Sequence, residues 1–227
     1  MTTVMITGAN RGIGLGFVKQ YAGEGARVLA CCRTPDKAED LKAVEGDVSV
    51  YPLDVTSGPS IAALKETLKD QPIDILINNA GIYGPRNANL GELDYEAWEQ
   101  VFAVDCMSPI RVSEAFLDQV AMSDRKIIAC VTSKMGSIGD NSSGGSYIYR
   151  SSKAALNAAV MSMSIDLCAR DITCVLLHPG WVQTDMGGSS ALIDVGTSVL
   201  GMYTVLDHLT LDETGIFFNF DGSIIPW

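Results

Sequence analysis

Short apolar runs rich in β-branched residues alternate with helical stretches along the whole 227-residue chain, and this alternation restricts the fold more than any other feature. Strands are predicted near 3–7, 26–31, 47–51, 73–77, 125–131, 172–177 and 215–220. Helices are predicted near 12–23, 36–44, 58–70, 94–120, 148–169 and 191–208. The middle runs, Ile73-Asp74-Ile75-Leu76-Ile77 and Lys126-Ile127-Ile128-Ala129-Cys130-Val131, are mostly apolar on both faces, as in a parallel sheet covered by helices on each side. No linker, repeat or low-complexity tract interrupts the pattern. It predicts a single doubly wound α/β domain over residues 1–227, with about seven parallel strands. Ligands of such sheets bind beyond the carboxyl ends of the strands, so the loops there carry the functional reading.

Charge narrows the partners. The chain has 16 basic and 27 acidic residues, a net charge of −11, and that field repels a phosphate backbone. Nucleic-acid binding is therefore not expected. No apolar run approaches the roughly 20 residues of a membrane span. The opening Met-Thr-Thr-Val-Met-Ile enters a strand without the pattern of a cleavable leader. The 6 cysteines form no CxxC pair and read as reduced core thiols of a cytoplasmic protein. The 2 histidines, His178 and His208, have no ligand partners in sequence, so no metal site is expected.

The first strand runs into Thr7-Gly8-Ala9-Asn10-Arg11-Gly12-Ile13-Gly14-Leu15-Gly16 and then a helix. Gly8 permits a tight exit from the strand, Gly12 leaves the backbone open to a pyrophosphate, and Gly14 lets the helix pack closely. The helix N-terminus adds free N–H groups and a positive dipole end. A glycine triplet can also be only a tight turn, and this GxxxGxG spacing lacks the Lys-Ser/Thr of a P-loop. Asp54, followed by Val55 after the third strand, can accept from an adenine amino group or serve as a helix N-terminal acid. Beyond the second strand stands Arg33, where an acid would hold the ribose diol of NAD. Arg33 and Arg11 together would clamp a 2′-phosphate, which favours NADP(H) over NAD(H). Either arginine alone also reads as a solvated surface charge.

At the other end of the predicted cleft, Tyr149, Lys153 and Asn157 share one helix face at four-residue spacing. A free phenol has a pKa near 10, and a neighbouring ammonium with an oxidised nicotinamide nearby lowers it toward a useful range. Spacing alone shows only adjacency. Ser133 adds a second group, at the carboxyl edge of the fifth strand, where its hydroxyl can donate to a carbonyl oxygen that gains charge; a turn or capping serine is the plainer alternative. Asn78-Asn79-Ala80-Gly81 ends the fourth strand, central in an order 3-2-1-4-5-6-7. Its amides can tie neighbouring strand ends while Ala80 and Gly81 let a cofactor lie close. After the sixth strand, Pro179-Gly180 makes a turn that presents the Val182 backbone and the Thr184 hydroxyl to a nicotinamide carboxamide. His178 reads as structural.

Taken in order, Thr7 to Gly14, Asp54, Asn78 to Gly81, Ser133 with Tyr149 and Lys153, and Pro179-Gly180 with Thr184 resemble the short-chain dehydrogenase/reductase family over essentially the whole chain. Tyr149 to Asn157, His178 to Met186 and the C-terminal Phe220-Asp221-Gly222…Pro226-Trp227 are similar to its carbonyl-reductase subgroup, which includes the sniffer and C-factor proteins. The resemblance implies a Rossmann-like fold and reduction of a small or medium aldehyde or ketone by NADPH. In that chemistry Tyr149 protonates the alkoxide, Ser133 holds the oxygen, and Lys153 tunes Tyr149 and bonds the nicotinamide ribose. It places Gly8, Asn10, Arg11, Gly12, Ile13, Gly14, Arg33, Asp54, Val55, Asn79, Ala80, Gly81, Tyr149, Lys153, Pro179, Gly180, Val182 and Thr184 around the cofactor. One position departs from the family: Asp105, in Phe102-Ala103-Val104-Asp105-Cys106, stands where an asparagine is usual and adds negative charge near Lys153.

The 185–197 segment, where relatives build a lid, is short and rich in small residues, which points to an open pocket. Met135, Ile138, Tyr83, Trp181 and Met186 offer it an apolar wall. The helices near 94–120 and 148–169 carry broad apolar surface and predict a homodimer or homotetramer, although the same stripes would also serve to cover the sheet. Two other readings stay open: a nucleotide-sensing or signalling protein with little turnover, favoured by Asp105, and a reductase of acyl-carrier substrates, for which a basic docking patch is missing.

Overall fold

A computed structural model describes residues 1–86 and 89–227. Seven parallel strands form one sheet in the order β3-β2-β1-β4-β5-β6-β7, the order expected from sequence. They are β1 (Thr3–Thr7), β2 (Arg27–Cys32), β3 (Val48–Pro52), β4 (Ile75–Asn78), β5 (Ile127–Val131), β6 (Thr173–His178) and β7 (Phe217–Asn219). The helices are α1 (Gly12–Gly23), α2 (Glu39–Lys42), α3 (Gly58–Thr67), α4 (Tyr95–Phe102), α5 (Ser108–Ala115), α6 (Leu117–Ala121), α7 (Tyr147–Leu167) and α8 (Val195–His208). The strand order reverses between β1 and β4, and this switch point opens the crevice in which such sheets bind ligands.

Alternation along each strand divides the core between the two faces. Val4, Ile6, Ile75, Ile77, Ala129 and Val175 face one way and pack with Phe17 and Val18 of α1 and with Val199 and Met202 of α8. Met5, Leu76, Ile128 and Cys174 face the other way and pack with Ile61 of α3, Val112 of α5, Phe116, and Leu156 and Val160 of α7. These strand residues are fully buried, which is why the central runs lack a polar face.

Three predicted helices have different limits. The segment near 191–208 begins only at Val195, because the Asp194 side chain accepts the Thr197 N–H at 2.8 Å and caps the helix there. The segment near 36–44 is a 3₁₀ turn, Pro35–Lys37, followed by the single-turn α2. The segment near 94–120 is not one helix. Asp94 caps α4, a π turn spans Ala103–Met107, and α5 and α6 part at Phe116. Pro109 has no N–H to return to the carbonyl of Asp105, so the regular ladder cannot run through this point. Ser108 N–H instead reaches back to the Ala103 carbonyl, which throws out one extra residue.

Phe17 is fully buried between α1 and the sheet. Phe17→Ala is expected to cost about 3–5 kcal/mol. Urea unfolding should show a lower midpoint with little change in slope, and an unchanged midpoint would mean that the α1 contact is not part of the stabilising core.

Candidate active site

β1 and β4 are tied at their carboxyl ends by one hydroxyl. Thr7 Oγ1 accepts the N–H groups of Asn79 at 3.0 Å and Ala80 at 3.1 Å. The Asn79 side-chain amide donates to the Thr7 carbonyl at 3.0 Å and the Gly8 carbonyl at 3.3 Å. Asn78 turns the other way and donates to Ser113 Oγ at 3.0 Å. The Asn79 amide therefore joins the ends of β1 and β4, whereas the Asn78 amide reaches α5 and, at 3.7 Å, the Cys130 thiol of β5.

These ties hold the glycine loop closed. Gly8 has φ +66°, and a Cβ there would press on the Ala80 backbone. At Gly14 a Cβ would collide with the Gly8 carbonyl oxygen and the Asn79 amide, so α1 can begin against the sheet only with glycine. Arg11 precedes α1 in extended conformation, and no side chain caps the helix. The first-turn N–H groups are thus left for a ligand, and the cradle fits a pyrophosphate. Asn10 is exposed at its rim, with Gly12 and Ile13 half-buried behind it.

Two other predicted residues at this end have more definite surroundings. Asp54 Oδ1 accepts the Thr56 N–H at 2.9 Å and the Thr56 hydroxyl at 2.7 Å, and these bonds hold its carboxyl below the usual range. The cap of α3 is Ser57, so Asp54 is not its N-terminal acid; Val55 beside it is buried. Arg11 forms an ion pair with Asp185 at 3.0 Å, both side chains exposed, whereas Arg33 is exposed at the end of β2.

Ser133, Tyr149 and Lys153 come together at the carboxyl edge of β5, and all three are buried. Ser133 follows the strand and accepts the Met135 N–H at 3.1 Å, which opens a 3₁₀ turn over Lys134–Gly136. Both sequence alternatives therefore hold for it: Ser133 is a capping serine that also lies at the site. α7 begins after Ser146, in left-handed conformation, and carries Tyr149 and Lys153 one turn apart. Lys153 Nζ sits 5.7 Å from the Tyr149 ring centroid and donates to the Val131 carbonyl at 3.3 Å. Asn157, one turn further, accepts the Thr132 hydroxyl at 2.7 Å.

The Tyr149 phenol is held above its ordinary pKa. Burial is the largest cause; Lys153 opposes it, Asp105 adds to it, Ser133 opposes it and Tyr83 adds to it. The expected lowering relies on Lys153 together with an oxidised nicotinamide, and in the protein alone burial outweighs the lysine. Burial pulls Lys153 down, but Asp105 and Tyr149 more than offset it, so the ammonium is retained. His178 is held down to about 4 by burial and Lys134, leaving a neutral ring at pH 7.

Tyr83 stacks on Tyr149 with ring centroids 4.5 Å apart, and its hydroxyl meets Ser146 Oγ at 3.2 Å. Arg86 lies over the outer face of Tyr83 at 5.6 Å and donates to the Met186 carbonyl at 2.7 Å. Sequence reasoning missed Arg86, for which no spacing signal exists. In the lid segment, Trp181 donates to the Gly187 carbonyl at 2.9 Å and Thr184 Oγ1 accepts the Gly187 N–H at 3.1 Å. Val182 is buried, and its backbone pairs with Ile193. The turn at Pro179-Gly180 is anchored by Ser198, whose hydroxyl donates to the Pro179 carbonyl at 2.6 Å. Ile138 does not join this wall. It lines a separate apolar groove on the outer side of α7 with Ala154, Ala158, Met161 and Trp227.

Residues 2–192 match the short chain dehydrogenase family. The chain belongs to that family. Among curated relatives, this short-chain dehydrogenase is 47% identical to the C-signal protein of Myxococcus xanthus over 156 residues, covering 69% of the chain and 93% of the relative. It is 32% identical to a 1-hydroxy-2-glutathionyl-2-methyl-3-butene dehydrogenase of a Rhodococcus species, with 100% of both chains covered. Among solved structures it is similar to the carbonyl reductase Sniffer of D. melanogaster, with TM-score 0.93, 35% identity and 100% of both chains covered. The NADPH-bound carbonyl reductase from chicken fatty liver gives TM-score 0.91 at 34% identity, covering 100% of this chain and 99% of that one. Family membership places the chain among the oxidoreductases. Among the described residues no helix is long and apolar enough to cross a membrane.

Thr7→Val removes the acceptor of two backbone N–H groups. Stability is expected to fall by about 2–6 kcal/mol, at roughly 1–3 for each unsatisfied group, toward the lower end because Asn79 and Ala80 are half-buried. Denaturant unfolding measures it, and a variant as stable as the parent would show that solvent replaces the hydroxyl.

Proposed function

We propose that this short-chain dehydrogenase is an NADP(H)-dependent carbonyl reductase acting on small or medium aldehydes and ketones. The observation that carries the reading is the buried cluster of Ser133, Tyr149 and Lys153 at the same sheet edge as the glycine cradle. A nicotinamide cofactor, when bound, supplies the hydride. Ser133 donates a hydrogen bond to the carbonyl oxygen as negative charge develops there. Tyr149 transfers its phenolic proton to that oxygen and completes the alcohol. Lys153 steadies the phenolate that remains and would bond the nicotinamide ribose. The stack of Tyr83 on Tyr149 walls the phenol from bulk water on one side, and holding both reactants in one cleft removes much of the entropic barrier.

For the cofactor, Gly8, Asn10, Gly12, Ile13 and Gly14 would cradle the pyrophosphate, and Asp54 with Val55 would face the adenine. Asn79, Ala80 and Gly81 would lie along the ribose, with Pro179, Gly180, Val182 and Thr184 at the carboxamide. NADP(H) is favoured by Arg33, which stands exposed where an acid would bind the ribose diol. Arg11 would have to leave Asp185 to join it. The similar chicken carbonyl reductase is a structure with NADPH bound, which supports the same preference. The apolar groove on α7, with Ile138 79% exposed, is consistent with a homodimer or homotetramer.

The reading is tested by following NADPH oxidation against a panel of aldehydes and ketones. Tyr149→Phe is expected to lower kcat by at least about 10²-fold, the range of general acid catalysis, while cofactor binding persists. Undiminished turnover would remove Tyr149 from the chemistry. Arg33→Asp is expected to reverse the preference between NADPH and NADH, by about 10-fold or more in relative kcat/KM for one lost charge-assisted contact. An Arg33→Asp enzyme that still prefers NADPH would take the 2′-phosphate site away from that residue.

A further inference from the structure

Asp105 is fully buried in the π turn, and its carboxylate bridges the site. Oδ1 accepts the Ile82 N–H at 2.8 Å, which fixes the side chain. Oδ2 forms a buried ion pair with Lys153 Nζ at 3.3 Å. The backbone of Gly81 closes over the pair: a Cβ there would lie 3.4 Å from Asp105 Oδ1 and 3.7 Å from Lys153 Nζ. Water is thus kept from one side, so the pair is weakly screened. An asparagine in the same place would accept from Ile82 equally well but would leave the Lys153 charge uncancelled.

We propose that Asp105 is a positioning residue that cancels the charge of Lys153 beside Tyr149, and so keeps the phenolic proton in place into alkaline pH. This rests on the carbonyl-reductase reading and adds to it the pH range over which the proton donor is loaded. The equilibrium between carbonyl and alcohol is untouched, since a catalyst moves both directions together. What moves is the pH at which the enzyme passes from the proton-donating to the proton-accepting form.

The groups around the phenol leave Asp105 as the cause that can be tested. Lys153 shares α7 with Tyr149, and Cys106 neighbours Asp105 in the π turn. Cys130 of β5 lies near Lys153, Ser133 near the phenol, and Tyr83 on its face, with Arg86 beyond Tyr83. Burial pushes the Cys106 thiol up and the Cys130 thiol up to about 12, so neither supplies a negative charge near neutral pH. Burial pushes the Asp105 carboxyl up, while Lys153 and the Ile82 N–H pull it back; paired at 3.3 Å with the Lys153 ammonium, it is the carboxylate of the set.

The sign follows directly. Taking away a negative charge favours the phenolate, so Asp105→Asn lowers the Tyr149 midpoint. Asp105 Oδ2 lies 3.3 Å from Lys153 Nζ, itself 5.7 Å from the Tyr149 ring centroid, and a full charge within that reach, at an effective dielectric of about 20, corresponds to about one pH unit or more. The experiment is an ultraviolet difference titration of phenolate in the cofactor-free protein, with Tyr149→Phe subtracted so that only this phenol is read. The parent is expected to titrate at or above the ordinary phenol value of about 10. Asp105→Asn is expected about one unit lower, with the alkaline limb of kcat/KM for carbonyl reduction moving by the same amount. A parent midpoint near 7 or 8 would overturn the proposal without any variant, and so would an Asp105→Asn midpoint equal to the parent's. Asp105→Glu, which restores the charge, should return the parent midpoint. Because the titration needs no turnover, absence of reductase activity would count against the function alone and leave this test standing.

Discussion

The tie between β1 and β4 at Thr7 holds the functional end of the molecule in place. A parallel sheet releases every chain segment at the same edge, but it does not by itself keep neighbouring segments together once the ladder ends. Here one buried hydroxyl accepts from two successive backbone amides across the switch point, and one asparagine amide answers with bonds to Thr7 and Gly8. The glycine loop and the 79–81 turn are thereby fixed against each other at the place where the strand order reverses. Gly14 can then bring α1 against this seam, with its open N–H groups facing the crevice.

Electrostatics in the second half of the site depend on burial more than on any one pair. Tyr149, Lys153 and Asp105 share a region with little solvent, where each charge is felt strongly and each lost hydration shell is costly. Lys153 survives as a cation because the Asp105 carboxylate stands 3.3 Å away and the Val131 carbonyl accepts its hydrogen bond. Breaking such a pair from one side is harmful chiefly because the remaining charge is stranded.

How much of this was legible in the sequence follows from the range of each interaction. The sheet order, Gly8 and Gly14, and the Tyr149–Lys153 face are set by local spacing and by strand-end position, and they could be read directly. Asp194 as the start of α8 was equally local, but the apolar run before it concealed the cap. The π turn was harder, since it arises from Pro109 acting on a helix that otherwise has good periodicity. The Arg86–Tyr83–Tyr149 stack and the Arg11–Asp185 pair join residues distant in sequence, and neither has a spacing to reveal it. The opposing effect of burial on Tyr149 was not legible, because burial cannot be read from a four-residue interval.

The stretch from Asp185 to Gly187 is moored on two sides. Arg11 of the glycine loop holds its first residue, and Arg86 of the turn after β4 holds the carbonyl of the next. Both moorings are at the surface, where such a contact contributes only about 0–1 kcal/mol and weakens as salt is added. These two surface contacts are weak, and the firmer hold on the stretch comes from Trp181 and Thr184, which bond both backbone groups of Gly187. The two surface contacts join the dinucleotide side of the crevice to the tyrosine side.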